Sequence, residues 1–422
     1  MKINIFLLSV FLLIGCSNNS DVYKNTTSPL FDEIIEIPID ESANKEGPEN
    51  SKQFVNKKFT HLGLDSSRGG GNLSLSENLN VLWKSNIGEV KSNLTPFVTN
   101  LVAKDEIVFV IDATGKLIAS SLLDGKLLWN KEIGNRKNTN YSIPASMTIN
   151  GNIIFVHIGS YELLALNIYD GEILWKNEFR LPIVSEPTAN NKGLLITFID
   201  GSTKFLDNKN GDILWQVPLL NSNKNNLILK YPSLNDQFAV IPTSNDEFSV
   251  YDIDDGSYLW NEKIYFSPNA KDLLSYEIFS LLDDKNIYFA HQNSGIVSFD
   301  SDLELMNWEI SSEVLSIPWI SGDSIYFITN NGFAICLRKS DGKIRWKFKL
   351  PLNNKQSQYL GPLVASDNVY LINNDGVIYI LNSKDGNLIN TKTINGNFTT
   401  NPIIINDIMV LISDDGNLIT LK

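Results

Sequence analysis

Short runs of alternating apolar and polar residues, cut by Gly, Asn, Asp and Ser, fill the chain from residue 79 onward. One stretch is representative. Pro144 to Ile149, Asn152 to Ile158, Glu162 to Asn167 and Glu172 to Asn177 each read as a strand, with turn signals at Asn150-Gly151, Gly159-Ser160 and Asp170-Gly171 between them. Turns this short join antiparallel neighbours, so the unit is a four-stranded meander.

The fourth strand carries a phrase, Asp-Gly-x-x-Leu-Trp, that returns along the chain. It stands at Asp124-Gly125-Lys126-Leu127-Leu128-Trp129, Asp170-Gly171 to Trp175, Asn210-Gly211 to Trp215, Asp255-Gly256 to Trp260 and Asp341-Gly342 to Trp346. A blurred copy ends at Trp308 and a copy without Trp runs from Asp385-Gly386 to Asn390, while Trp83 opens the series without its turn. Successive positions lie 38 to 48 residues apart, the period of a four-stranded propeller blade rather than of a helical solenoid. Gly supplies the positive φ of the tight turn. The apolar run Ile173-Leu174-Trp175 predicts a strand covered on both faces by neighbouring blades, with the Trp as the wedge. Pro96, Pro144, Pro187, Pro232, Pro318, Pro362 and Pro402 recur near the start of the first strand, where a missing ladder donor is tolerated at an edge. The chain ends after three strands of a last repeat (Pro402 to Ile405, Ile408 to Ile412, Asn417 to Leu421), and Val81-Leu82-Trp83 is a fourth strand lacking its first three. Together they make an eighth blade and close the ring. The expected fold is all-β: an eight-bladed propeller over residues 79–422.

Residues 1–15 form a leader, Met-Lys followed by the apolar run Ile3 to Ile14, too short to span a bilayer. Its end, Leu13-Ile14-Gly15-Cys16, resembles the lipobox of bacterial lipoproteins. That resemblance implies cleavage before Cys16, acylation of its sulfur and amine as a covalent lipid anchor, and, because Ser17 follows, sorting to the outer membrane. Several acyl chains anchor stably where one does not. Residues 16–78, rich in Asn, Ser, Lys and Glu and without sustained period, read as a flexible tether, with Arg68-Gly69-Gly70-Gly71 as a hinge rather than a phosphate loop.

Net charge is −13, which repels nucleic acid and anionic membrane surfaces, so contact with the membrane is expected only through the anchor. Cys336 sits in the apolar run Phe333 to Leu337 and reads as a small core residue. His61, His157 and His291 have no ligand spacing around them, and the repeated Asp sit at hairpin turns. No metal, cofactor or catalytic set is expected.

Asp-Gly-x-x-Leu-Trp resembles the repeat of quinoprotein propellers, whose alcohol dehydrogenases are enzymes with a calcium site, a catalytic Asp and often a vicinal Cys pair; that pair is absent here. The closer resemblance, carried by the lipobox, the linker, an entering strand ending in Trp83, seven copies and a truncated eighth, is to the BamB family of outer-membrane β-barrel assembly lipoproteins. It implies a non-catalytic scaffold on the periplasmic side of the outer membrane that binds POTRA domains of the barrel-inserting subunit through loops after the third and fourth blades, with nascent outer-membrane proteins as a further candidate partner. Leu227-Ile228-Leu229-Lys230 is similar to the family's Leu-x-Leu-Arg contact, which makes Leu227, Leu229 and Lys230 candidates; the same stretch also reads as the start of a core strand. Asp272 and Glu277 are the acidic candidates of the second loop, though they do not match the family's closely spaced aspartates. The alternative is a quinone- or sugar-binding periplasmic propeller, an enzyme among them.

Overall fold

The computed structural model describes residues 38–88, 100–133, 145–158, 161–218, 227–242, 247–264, 275–292, 295–351 and 358–422. The strands form eight sheets, one per repeat, each built on an antiparallel meander. In the representative blade they run Ser146–Asn150, Ile153–His157, Glu162–Asn167 and Ile173–Glu178, within two residues of the sequence reading. Blade 8 is assembled as expected: Val81–Asn86 pairs antiparallel with Asn417–Leu421, so the outer strand of the last blade comes from the N-terminal side of the ring.

The first strands of adjacent blades pack against one another around the centre, and the fourth strands form the circumference. Apolar residues gather in successive seams, one between blades 1 and 2, others between 2 and 3, 3 and 4, 4 and 5, and 5 and 6, and the largest from blade 6 round to blade 1. Six of the junctions between blades carry the same joint. Trp129 Nε1 donates to Ile168 O at 2.9 Å, and Trp83, Trp175, Trp215, Trp308 and Trp346 donate likewise to the following blade. The ring lies on the Asp-Gly turn of that blade, where a Cβ on Gly171 would stand 2.6 Å from Trp129 Cε3. Glycine is therefore demanded twice, by its φ of 70° and by the indole above it. In the blurred copy Glu304 takes the positive φ, 57°, and Trp260 lies against Phe248 of its own blade and Phe299 of the next.

The fourth strands are not covered on both faces. Leu127, Leu128, Ile173, Leu174, Ile213 and Leu214 are exposed, and of each apolar trio only the Trp turns inward. A bulge explains this: the register slips between Ile173 and Trp175, and at the matching point in the other blades, so that two residues oppose one and the Trp is re-aimed into the seam.

Residues 38–78 are not a free tether. A helix, Glu41–Glu46, capped by Asp40, lies on the outer strand of blade 6, and residues 56–76 make one full circuit of the ring. Asn56 O accepts from Asn406 N–H of blade 8 at 2.8 Å, Lys58–Phe59 pair with blade 1, and Thr60 O accepts from Ile149 N–H of blade 2 at 3.2 Å. His61 Nε2 accepts from Ala189 N–H of blade 3 at 3.0 Å; Ser66 O and Ser67 O accept from Leu234 and Leu282 N–H of blades 4 and 5, each at 2.8 Å. Gly71 N–H donates to Ile320 O of blade 6 at 2.8 Å, Leu73 N–H to Val364 O of blade 7 at 3.0 Å, and Ser76 N–H to Asp407 O of blade 8 at 3.4 Å. This collar supplies backbone partners to the ends of the inner strands, which would otherwise be unpaired at the channel mouth. Gly70 is no hinge: a Cβ there would meet Ile320 O at 2.7 Å and the Trp319 indole at 2.9 Å. Trp319, the one Trp outside the repeat, stacks on Phe59 and donates to Gly71 O at 2.7 Å.

Candidate functional site

The collar lies where the inner strands finish. At their opposite, entering end the segments leading into blades 3, 4 and 5 lie side by side. Leu227–Tyr231 pairs in parallel with the first strand of blade 5, Leu229 opposite Glu277 and Lys230 opposite Ile278, and Ser185 of blade 3 bridges to Lys230. The candidates Leu227, Leu229, Lys230 and Glu277, assigned from sequence to two separate loops, are thus brought into one ladder. Asp272 and Cys16 lie outside the described residues.

Within the ladder the side chains differ in what they can offer. Leu229 is half-buried, while Lys230 is only 2% exposed, so its ammonium is turned into the fold rather than presented as a charge on the rim. Burial pulls Lys230 down to about 8, against the opposing pull of Asp200. Glu277 is half-buried; its carboxyl is pushed up by burial, and the Tyr231 hydroxyl, donating to it at 2.9 Å, moderates the shift.

Beneath the ladder lies a polar cluster that the sequence reading missed. Arg68 reaches inward from the collar: Nη1 donates to Glu186 Oε2 at 2.9 Å and to Leu62 O at 2.7 Å, Nε to Pro232 O at 2.9 Å and Nη2 to Thr188 Oγ1 at 3.1 Å. Both charges of the pair are buried. Glu186 also accepts from Leu62 N–H and Asn100 Nδ2; burial pushes its carboxyl up while Arg68 pulls it back. The guanidinium stands 5.5 Å from the centroid of the Tyr231 ring, which itself stacks on Phe279. His61 accepts at Nε2 and hydrogen-bonds Thr60 Oγ1 at 2.8 Å through Nδ1, and its protonation is held well below the usual histidine range by burial and by Arg68. The sequence signals for this cluster were an arginine beside a glycine run and a Trp out of register.

These titratable groups are engaged within the fold. The repeated acids close turns: Asp170 Oδ1 accepts from Glu172 N–H at 2.9 Å and Asp255 Oδ1 from Ser257 N–H at 2.8 Å. Cys336 is buried, its thiol pushed up to about 12, so thiolate chemistry is suppressed. Among the described residues no three His, Cys, Asp or Glu side chains are grouped to hold a metal.

Residues 142–348 match the family model described as outer membrane protein assembly factor BamB. Among solved structures, the chain is similar to BamB from Moraxella catarrhalis at 15% identity and a TM-score of 0.66, over 82% of this chain and 99% of that one. It is also similar to the quinohemoprotein alcohol dehydrogenase from Comamonas testosteroni, at 10% identity and a TM-score of 0.65, over 86% of this chain and 80% of that one. At such identities the likeness is one of fold. No curated protein sequence matches the chain.

Proposed function

We propose that this BamB-like repeat propeller is a non-catalytic scaffold of the machinery that inserts β-barrel proteins into the outer membrane, held at the periplasmic face by lipid on Cys16 and docking POTRA domains of the barrel-inserting subunit. The observation that carries the reading is the ladder of Leu227–Tyr231 on 275–279, which lies inside the stretch matched by the family model. It joins two entering segments into one hydrogen-bonded platform. The collar lies at the other end of the inner strands, away from this platform. Arg68 and Glu186 serve as a structural support in this reading, bonded to each other and to the neighbouring Leu62, Pro232, Thr188 and Asn100.

Within this reading Leu229 is an apolar contact and Lys230 a support beneath it. Leu229→Ala is expected to keep a cooperative melt and to lose capture by a POTRA fragment by roughly tenfold or more, the scale of an interface anchor. Unchanged capture by the folded variant would remove the site. Cys16→Ser is expected to leave the protein unanchored in membrane fractionation. Dye-linked alcohol oxidation by the protein after incubation with calcium and pyrroloquinoline quinone would replace the scaffold reading with an enzymatic one.

A further inference from the structure

The chain uses one of its own inter-blade grooves to hold a peptide. At the outer edge of blade 6, Asp40 N–H donates to Ile344 O at 3.0 Å, Asp40 Oδ2 pairs with Lys343 Nζ at 3.2 Å, and Asn44 Nδ2 donates to Arg345 O at 2.6 Å. The outer strand is thereby covered, and Ile344 is 2% exposed. In blade 3 the corresponding Ile213 is 50% exposed, on a strand that has no neighbour on its outer side among the described residues.

The two places are the same groove in two repeats. Beside the segment 38–42 it is walled by Ile310 of one blade and by Gly342, Lys343 and Ile344 of the next. Between blades 2 and 3 the matching walls are Asn177 and Gly211, Asp212 and Ile213, and here the groove is open, with a volume of about 650 Å³ floored by Phe179, Leu181 and Phe198. The charge at the position that grips the peptide is reversed: Asp212, exposed and accepting from Asn210 Nδ2 at 2.7 Å, stands where blade 6 has Lys343, while Glu178, Arg180 and Lys204 line the rest of the groove.

We propose that the blade 2–blade 3 groove is a docking site for an extended segment of a partner protein that follows the path of residues 38–42. The segment donates a backbone N–H to Ile213 O, seats an apolar side chain against Phe179 and Phe198, and sets a basic residue against Asp212, where the internal segment has Asp40. Edge-strand carbonyls give the affinity and the Asp212 carboxylate gives the sequence preference. An acidic molecule of net charge −13 also attracts basic segments at long range.

The probe is a fluorescent peptide of residues 37–48 carrying Asp40→Lys, titrated against the full chain by anisotropy, with the unaltered peptide beside it. The Asp40→Lys peptide is expected to bind roughly tenfold more tightly than the unaltered one, and Asp212→Lys in the protein, an exposed change, is expected to invert that preference. Ile213→Glu is expected to weaken both. Absence of binding by either peptide, or equal affinities that Asp212→Lys leaves untouched, would overturn the proposal. So would sensitivity to Lys343→Asp instead, which would put the peptide on blade 6. The assay contains no POTRA domain, so its outcome is separate from that of the scaffold reading.

Discussion

Arg68 removed alone would strand the Glu186 carboxyl in the interior with only Leu62 N–H and Asn100 as donors. Arg68→Met is therefore expected to cost about 3 to 5 kcal/mol, and Arg68→Met with Glu186→Gln to be more stable than the single variant in urea titrations. Equal midpoints would mean that the bonds to the Leu62 and Pro232 carbonyls, not the charge, are what the guanidinium supplies. Lys230 has the opposite sign. Its folded value of about 8 lies below the ordinary 10.5, so between these values the unfolded chain binds more protons and stability rises with pH; below about 8 the penalty is constant. Lys230→Met is expected to gain up to roughly 3 kcal/mol at pH 7, a gap that closes by about pH 10.5; a gap independent of pH would refute the buried ammonium. Neither residue was legible as it stands, because Arg68 and Lys230 are buried by chain distant in sequence, and a local pattern carries no trace of that.

At the level of the blade the sequence was far more telling, since the phrase encodes the joint itself: the Gly that turns, and the Trp of the preceding repeat that lies on it. Trp346→Ala, which empties a fully packed seam, is expected to cost about 3 to 5 kcal/mol. Gly386→Ala strikes the same seam from the other side, because its Cβ would stand 2.5 Å from Trp346 Cε3. In the Trp346→Ala background it is expected to cost less, retaining only the strain of its φ of 72°; additive effects in a double-mutant cycle would separate the Trp from the turn. What the phrase misreported was the outer pair. Two apolar residues before a Trp read as buried on both faces, and only the bulge, which no single repeat announces, turns them to the circumference.

The ring as a whole closes twice, once through Val81–Asn86 in blade 8 and again through the collar. The first closure was readable from an orphan fourth strand at one end and a missing one at the other. The second was not, because each collar residue answers a different blade and the stretch has no period; its Asn, Ser and Gly suit a mobile linker as well as a chain that must bend around a circle. A chain beginning at residue 77 keeps every blade strand, yet is expected to melt clearly below one beginning at residue 38; identical melting would reduce the collar to decoration. Its path also imposes an order in time. Residues 56–76 leave the ribosome before any blade, but their bonding partners lie on all eight, and no pair of blades offers more than a fraction of them. A part of the folded body made before every blade is thus the last to be seated, and its protection from hydrogen exchange during refolding should arrive in one late step, after the blades are already protected.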